Sequence, residues 1–242
     1  MKQGVFFTYT HTRAYAYIET PRKDTGYERY GVGTFSARLR YNRNMRTLFD
    51  FEPERELKVY YARALNTPEG IATRDFYEVY HNLIAEASQK YGVPLLNAVV
   101  AFARLSPRVN VEVNKRAFLA LLAGEPRTAG IISAIWQTAE TALLMSPAEI
   151  HSYLYEEPLT KVRAFARNLA LDTGCVCIDS IMLRILRYTH NIADRDTLFR
   201  DYANIHTSLY TEIRALDDSV PPYKIQATLW GYARARLTPI EY

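Results

Sequence analysis

Apolar residues recur at helical spacing from about residue 73 to residue 237, and this periodicity is what most limits the possible folds of the chain. In the first such stretch, F-Y-E-V-Y-H-N-L-I-A-E-A-S-Q-K-Y-G, the apolar side chains share one helix face and Gly92 supplies a stop signal. Similar stretches follow at about 93–104, 110–123, 127–144, 147–154, 159–171, 180–190, 194–215 and 221–237. Breaker sequences such as S-P-R, M-S-P and S-V-P-P separate them. The pattern predicts an all-α domain of about eight or nine helices over residues 71–242.

Residues 1–70 have a different pattern and predict a small N-terminal β appendage. Apolar and polar residues alternate in V-F-F-T-Y-T-H-T-R-A-Y-A-Y-I and again in G-T-F-S-A-R-L-R-Y, with a turn-like P-R-K-D-T-G between them. The first fifty residues carry nine Lys or Arg against four acidic residues, a net charge of +5, so the other 192 residues sum to −1. They also carry ten aromatic residues. This mixture suits phosphate contact and base stacking, and equally a half-exposed β element whose Tyr and Arg face solvent.

Composition excludes several classes of protein. A hydrophobic content of 48% in 242 residues is enough for a full core. The apolar runs are shorter than the roughly 20 residues that cross a bilayer, and the N-terminus lacks a signal-peptide pattern, so we expect a cytoplasmic protein without a membrane partner. Cys175 and Cys177 are poorly spaced for a mutual disulfide and too few for a zinc or iron–sulfur site. Five histidines show no metal-binding spacing, so neither a metal nor a cofactor is expected.

The stretch K-V-R-A-F-A-R-N-L-A-L-D-T-G-C-V-C-I-D-S-I-M-L-R, residues 161–184, places a lone carboxylate, Asp179, between two apolar runs. In the helix before it, the predicted buried stripe is Val162, Phe165, Ala166 and Leu169, which leaves Lys161, Arg163, Arg167 and Asn168 on the other side. Asp179 opens the next helix. By chemistry alone, Asp179 is an N-cap that accepts backbone N–H groups and Lys161 is a solvated helix charge.

This stretch resembles the helix-hairpin-helix DNA glycosylase superfamily, in which a hairpin lysine precedes by eighteen residues the aspartate of a V-D-T-H-x-x-R motif. Here the matching residues are Lys161 and I-D-S-I-M-L-R, with Asp179 and Arg184 in register. A second segment, A-R-L-S-P-R-V-N-V-E-V-N-K-R-A, is similar to the family's L-S-x-Q segment followed by V-N-K-A, and the resemblance spans about residues 75–237.

The resemblance implies a mainly α, glycosylase-like fold and an enzyme that flips a base out of double-stranded DNA and cleaves its N-glycosidic bond. Asp179 is then the essential carboxylate, Lys161 is a nucleophile or an electrostatic partner, and Arg108 is the wedge that fills the gap left by the base. The other candidate DNA-contacting residues are Ser106, Asn110, Arg163, Arg167, Arg184, Arg38 and Arg40. Gln226 and Trp230, four positions apart on one helix face, are candidate pocket residues, although a Trp at helical spacing is usually a core residue.

Some residues depart from the family pattern. The hairpin G-x-G that grips a DNA phosphate is replaced by Glu157-Pro158-Leu159, and Ile181 stands where the motif has histidine. The overall pattern looks closer to phage-encoded helical proteins related to this superfamily, which implies the host cytoplasm as location. Relatives of that kind act in thymidine hypermodification, as transferases that replace a pyrophosphorylated 5-hydroxymethyl group with an amine or amino acid. Two alternatives to a glycosylase therefore stay open, such a transferase and a non-catalytic DNA-binding phage protein.

Overall fold

The structure is a computed structural model that describes residues 54–192 and 194–237 in full and the backbone alone of residues 6–10 and 13–17. The chain divides into two compact units, Met1–Leu48 and Phe49–Tyr242.

In the first unit, the first alternating stretch of the sequence contains two paired strands. Strand β1 is Phe6–Thr10 and strand β2 is Arg13–Tyr17, and they pair antiparallel. Phe6 lies opposite Tyr17 in this register. The second alternating stretch, together with Arg38 and Arg40, lies outside the described residues.

Within residues 54–237 the chain is predominantly helical, which confirms the prediction of a mainly α fold. The α-helices are α1 (Leu57–Ala64), α2 (Pro68–Thr73), α3 (Phe76–Tyr91), α4 (Leu95–Leu105), α5 (Val111–Leu122), α6 (Ser133–Leu144), α7 (Pro147–His151), α8 (Lys161–Leu169), α9 (Leu183–Thr189), α10 (Arg195–Arg200), α11 (Tyr202–Leu216) and α12 (Pro222–Arg236). A π-helical turn, Ser152–Glu156, continues α7.

Helix α4 lies at the centre of the core and is buried on all sides from Asn97 to Ala103. It packs against α3, α5, α6 and α8. A helix that is apolar all round is stable only inside a protein, so the other helices surround it. Its one buried amide, Asn97, donates to the carbonyls of Ala142 (3.0 Å) and Met145 (2.7 Å) and thereby satisfies the C-terminal end of α6.

The helical unit begins before the predicted boundary at residue 71, because α1 and α2 belong to it. Leu57 and Tyr60 of α1 are fully buried. Helix α2 lies so close to α12 that a Cβ at Gly231 would stand 2.0 Å from Thr73 Oγ1. The Thr73 hydroxyl also donates to the Ala227 carbonyl at 2.9 Å. Helices of eight and six residues are too short to show a convincing helical period in the sequence.

Three predicted helix limits are wrong, each for a local reason. The stretch 194–215 forms two helices, because Asp201, at φ −120° and ψ 33°, interrupts it. Helix α6 begins at Ser133 instead of 127, since Gly130 has φ 89° and the Arg127 side chain donates to the Ile131 carbonyl. Helix α9 begins at Leu183 instead of 180, after a turn that follows Asp179.

Candidate functional site

Between α8 and α9 the chain passes through a buried, non-helical segment, Cys175–Ile178, that ends at Asp179. Buried backbone groups outside regular structure need side-chain partners. The Val176 N–H donates to His206 Nε2 (3.2 Å), and the Ile178 N–H donates to the Tyr202 hydroxyl (3.0 Å). Both partners belong to α11, so this helix fixes one side of the segment.

Asn168 of α8 fixes the other side of the same segment. With its amide nitrogen facing the Cys175 carbonyl, Asn168 donates to that oxygen (3.0 Å) and accepts from the Cys177 N–H (3.1 Å). The side chain is fully buried, so the prediction that Asn168 lies on the outer side of α8 is wrong. Helices α8 and α11 together fix the position of the buried segment that ends at Asp179.

His206 is neutral in this environment. Burial, and secondly the nearby Arg167 guanidinium, lower its pKa to about 4. Its Nε2 accepts a backbone N–H and is therefore unprotonated, and the rings of Tyr202 and Tyr210 stack against it.

Asp179 is held by three donors. Its Oδ1 accepts the backbone N–H groups of Ile181 (2.9 Å) and Met182 (3.0 Å), so the carboxylate caps the turn that leads into α9. Its Oδ2 accepts the indole N–H of Trp230 at 3.1 Å. The side chain is only partly buried. An ionised carboxylate has roughly four acceptor positions, so the geometry leaves one Oδ2 position for a further donor.

Trp230, which binds Asp179 through its indole N–H, also belongs to a group of aromatic rings. The Phe76 ring lies 6.0 Å from that of Trp230 and 6.4 Å from that of Phe165. All three rings are partly buried. The guanidinium carbon of Arg234 lies 5.2 Å from the centre of the Trp230 ring. Partly exposed rings next to a fixed carboxylate are an arrangement suited to holding a flat, unsaturated molecule.

Gln226, one turn before Trp230, is 2% exposed and accepts a hydrogen bond from the Tyr77 hydroxyl at 2.7 Å. Burial raises the pKa of Tyr77 well above its ordinary value, and the neighbouring Cys177 raises it further. The hydroxyl is therefore a fixed donor at neutral pH. The two predicted pocket residues therefore have different environments. Gln226 is hydrogen-bonded within the core, whereas Trp230 contacts the candidate carboxylate.

Lys161 and Asp179 act on the same buried sulfur, that of Cys177. The Cys177 thiol donates to the Lys161 carbonyl at 3.7 Å. Burial raises the pKa of this thiol, the Lys161 charge lowers it and the Asp179 charge raises it. Within the described part of the chain, the Lys161 ammonium has no hydrogen bond or ion pair. Both charges therefore influence the pKa of one buried thiol.

Two predicted DNA-contacting arginines of α8 are used inside the protein. Arg163 is 6% exposed, pairs with Glu157 and lies with its guanidinium carbon 4.6 Å from the centre of the Tyr153 ring. Arg167 donates from Nε to Asp172 Oδ2 at 2.7 Å, and both side chains are about four-fifths buried. The prediction of DNA contact is therefore withdrawn for Arg163, and Arg167 is a structural residue in this fold.

Arg184 caps the C-terminus of α12. Its Nη1 donates to the carbonyls of Ala233 (3.0 Å), Arg234 (3.0 Å) and Leu237 (3.3 Å). A cation at a helix C-terminus also complements the helix dipole. The motif arginine thus holds α12 to α9, next to Trp230.

The loop between α4 and α5 carries the predicted wedge. Arg108 is exposed and has φ 65°, a left-handed conformation that is uncommon for a residue with a side chain. On either side, Ser106 donates to the Ala103 carbonyl (2.7 Å) and Asn110 accepts the Val113 N–H (2.9 Å). Ser106 and Asn110 therefore close the helix ends and present Arg108 between them.

The segment of residues 156–160, called the hairpin loop here, leads from the end of the π-helical turn into α8. The N-cap Thr160 accepts the Arg163 N–H at 3.3 Å, and Glu157 pairs with the side chain of the same arginine. Pro158 has no N–H to offer. Glu156 and Glu157 are both exposed.

Fold and site define a mainly helical protein with a partly buried, three-donor carboxylate beside aromatic rings. Residues 54–237 match the model of a family of unknown function, DUF7178, and the chain belongs to that family. No curated protein and no solved structure matches the chain. Among the described residues no cluster of three or more His, Cys, Asp or Glu is placed to hold a metal ion, and no helix there is long and apolar enough to cross a membrane.

Sequence reasoning missed the residues that position Asp179. Tyr202 and His206 lie 24 and 30 positions from the backbone groups that they satisfy, and Phe76 lies more than 150 positions before Trp230. One signal was available, because C-V-C-I is an apolar run between D-T-G and a carboxylate and is too short for a helix. A buried run of that kind requires polar partners, although the sequence does not say which.

Proposed function

We propose that the chain is a DNA base-processing enzyme of the helix-hairpin-helix glycosylase type, which acts on a base flipped out of double-stranded DNA. The observation that carries the proposal is the Asp179 carboxylate, fixed by two backbone N–H groups and the Trp230 indole beside partly exposed aromatic rings. Such rings suit a flat base, and a fixed carboxylate suits a sugar that becomes positively charged.

In the proposed reaction, the bond between sugar C1′ and the base nitrogen breaks, and its electron pair leaves with the base, which takes up a proton. The Asp179 carboxylate stabilises the positive charge at C1′. A water molecule then forms the new C–O bond at C1′ and gives a proton to the carboxylate, which returns it to the solvent and so balances the proton that the base has taken up from the solvent. The unoccupied acceptor position on Oδ2 is the position from which this proton transfer occurs.

Lys161 has two roles that experiment separates. As an ammonium ion it attracts the phosphates on either side of the flipped nucleotide. As a free amine it attacks C1′ and displaces the base. The C1′–O4′ bond of the sugar then opens and the nitrogen loses a proton, which leaves a Schiff base that borohydride reduces to a permanent link between protein and DNA. Trapping by borohydride that is lost in Lys161→Gln supports the lyase role, whereas base release without trapping supports the electrostatic one.

Arg108 suits the wedge role because it is exposed on a short loop whose ends are closed by Ser106 and Asn110. A base removed from the stack leaves a gap that a protruding side chain fills. The left-handed backbone of Arg108 is a strained conformation, of the kind that is found at functional sites.

The test is to incubate the chain with duplex DNA that carries candidate modified bases and to measure released bases and DNA nucleosides by mass spectrometry. Free base indicates a glycosylase, and an altered nucleoside indicates the transferase alternative. Asp179→Asn should abolish turnover, because the amide keeps the cap to Ile181 and Met182 but lacks the charge. Asp194→Asn is the matched control, since Asp194 also caps a helix, accepting the Thr197 N–H at 2.6 Å.

Asp179→Asn turns an N–H of its amide toward the Trp230 N–H, which costs about 1 kcal/mol of folding stability. The double variant Asp179→Asn with Trp230→Phe removes this contact between two N–H groups and should therefore keep the chain folded. If both Asp179 variants retain the activity of Asp194→Asn, the carboxylate is not catalytic.

A non-catalytic DNA-binding protein is the second candidate, and the two backbone N–H groups on Asp179 Oδ1 favour it, because they are the hydrogen bonds of a structural helix cap. DNA binding without base release or nucleoside change on any substrate supports this candidate. In that case Asp179→Asn lowers stability and leaves DNA affinity unchanged or higher, because a carboxylate repels phosphates.

A further inference from the structure

Arg184 and Arg234 are brought together where α9 joins the C-terminus of α12, and Arg187 follows on α9. Arg184 donates hydrogen bonds from Nη1 to the α12 carbonyls, including that of Arg234. Arg187 stands three positions after Arg184 and shares its face of α9. The Arg234 guanidinium lies over the Trp230 ring. We call Arg184, Arg187 and Arg234 the arginine junction.

No acidic side chain neutralises the arginine junction within the described part of the chain. None of the three arginines forms an ion pair there. Elsewhere, Arg163, Arg167 and Arg236 pair with Glu157, Asp172 and Glu69. Gathering positive charge without an acid costs free energy in the free protein, and an anionic partner reverses that cost.

The arginine junction adjoins the candidate carboxylate through one residue. Trp230 donates to Asp179 and carries the Arg234 guanidinium over its ring. A carboxylate in a DNA-binding site repels the phosphates of its own substrate, so cations must stand close by to offset it. The exposed glutamates of the hairpin loop cannot do this, because they carry the same sign as phosphate.

We propose that the arginine junction binds the phosphodiester backbone of duplex DNA beside the nucleotide that Asp179 acts on. This inference rests on the proposed function. Guanidinium groups bind phosphate oxygens through two parallel N–H bonds, and several of them along one surface fit a polymer of phosphates better than a single ion. The junction then takes over the anchoring role that the hairpin G-x-G has in the superfamily that the sequence resembles.

The experiment measures the affinity of the full chain for a fluorescein-labelled duplex of about 20 base pairs, by anisotropy at several sodium chloride concentrations. The variant is Arg187→Gln with Arg234→Gln, which keeps the Arg184 cap intact. The slope of log affinity against log salt should become shallower by about 2, because each lost phosphate contact releases about one counterion fewer. Arg187→Lys with Arg234→Lys should restore most of the slope.

The matched control is Arg214→Gln with Arg236→Gln, which removes the same charge from exposed positions of α11 and α12. Arg236 is two positions from Arg234, so it points to a different side of the helix. Equal slopes for the two double variants would overturn the inference and leave the proposed function intact. Inorganic phosphate should displace the duplex no better than sodium chloride at equal ionic strength, and stronger displacement would assign the junction to free phosphate instead.

The failure of the proposed function has a different signature. If the unaltered chain does not bind the duplex, both the proposed function and this inference fall. If it binds with the expected slope change but releases no base and alters no nucleoside, the junction is confirmed as a DNA contact and the enzymatic proposal is overturned.

Discussion

Two sets of arginines, one on α8 and one at the arginine junction, differ in whether an acidic side chain pairs with them. Arg163 and Arg167 are largely buried and paired with Glu157 and Asp172. The three arginines of the junction pair with no acid in the described residues, and Arg234 is exposed. Four of these five arginines lie within a stretch of about twenty-five residues around Asp179.

The difference shows that a cation near a candidate site reports nothing about ligand binding until its counter-charge is known. The α8 arginines neutralise acids of their own chain, so they stabilise the fold and have little charge left for a phosphate. The arginines of the junction pair with no acid within the described residues, so their charge is available to a phosphate. The predictions below test this division, from the largest expected effect to the smallest.

The largest effect is expected for Arg163→Ala, which removes a 93% buried side chain from its contacts with Tyr153 and Glu157. Loss of the packing and of the ion pair should lower the free energy of unfolding by about 3 kcal/mol. Urea denaturation followed by circular dichroism measures this. Arg116→Ala, at an exposed position of α5, is the control and should change stability by less than about 0.5 kcal/mol. A shallower salt slope for DNA binding in Arg163→Ala would break the division between the two sets.

Acid should destabilise the α11 side of the site through His206. Its pKa is about 4 in the folded chain, below its ordinary value of 6.5, so the unfolded chain binds the proton more tightly. Stability is therefore fully present above pH 6.5 and is lost as the pH falls from there toward 4, by about 2 kcal/mol. Urea midpoints measured between pH 7 and pH 4.5 test the sign.

His206→Gln provides the control for the pH effect. The Gln oxygen can accept the Val176 N–H in place of Nε2, but it does not titrate. We expect that the stability of His206→Gln falls much less between pH 7 and pH 4.5 than the stability of the unaltered chain. An unaltered dependence would mean that the acid sensitivity originates elsewhere.

Much of the fold was predictable because it depends on local pattern. Amphipathic stretches and their breakers located α3, α4, α5 and α12 to within a few residues. The cap role of Asp179 was predictable as well, since a carboxylate before a helix accepts nearby N–H groups.

The surroundings of Asp179 were not predictable, and α8 shows why. The expected buried stripe leaves Arg163 and Asn168 outside, but both are buried. An amphipathic pattern assumes one buried face, whereas α8 packs on α4 on one side and on the Cys175–Ile178 segment on another. The partners Tyr202 and His206 come from a distant helix, and no spacing rule connects them with this segment.

A smaller effect is expected for the ion pair between Arg167 and Asp172. A double-mutant cycle with Arg167→Gln and Asp172→Asn should give a coupling energy of about 1 kcal/mol, because both side chains are about four-fifths buried and the contact is 2.7 Å. The same cycle on Arg236 and Glu69, which are more than two-fifths exposed, should give less. Equal coupling energies would show that burial does not distinguish the α8 pair from a surface pair.

The smallest effect on stability, under about 1 kcal/mol, is expected for Trp230→Phe, which keeps a ring beneath Arg234 and removes the hydrogen bond to Asp179. Trp136→Phe is the matched control, because Trp136 also donates to a carboxylate, Glu140 Oε1, at 2.7 Å.

The chain has two tryptophans, so its two indole N–H resonances in NMR spectra are assigned by these variants. Asp179→Asn should move the Trp230 resonance alone. Under the proposed function, Trp230→Phe should lower kcat with little change in KM and leave the salt slope of DNA binding unchanged, because that proposal assigns phosphate contact to Arg234 and carboxylate orientation to the indole. A slope that becomes shallower in Trp230→Phe would mean that the two tasks are not separate, and an equal loss of kcat in Trp136→Phe would mean that the indole acts through stability alone.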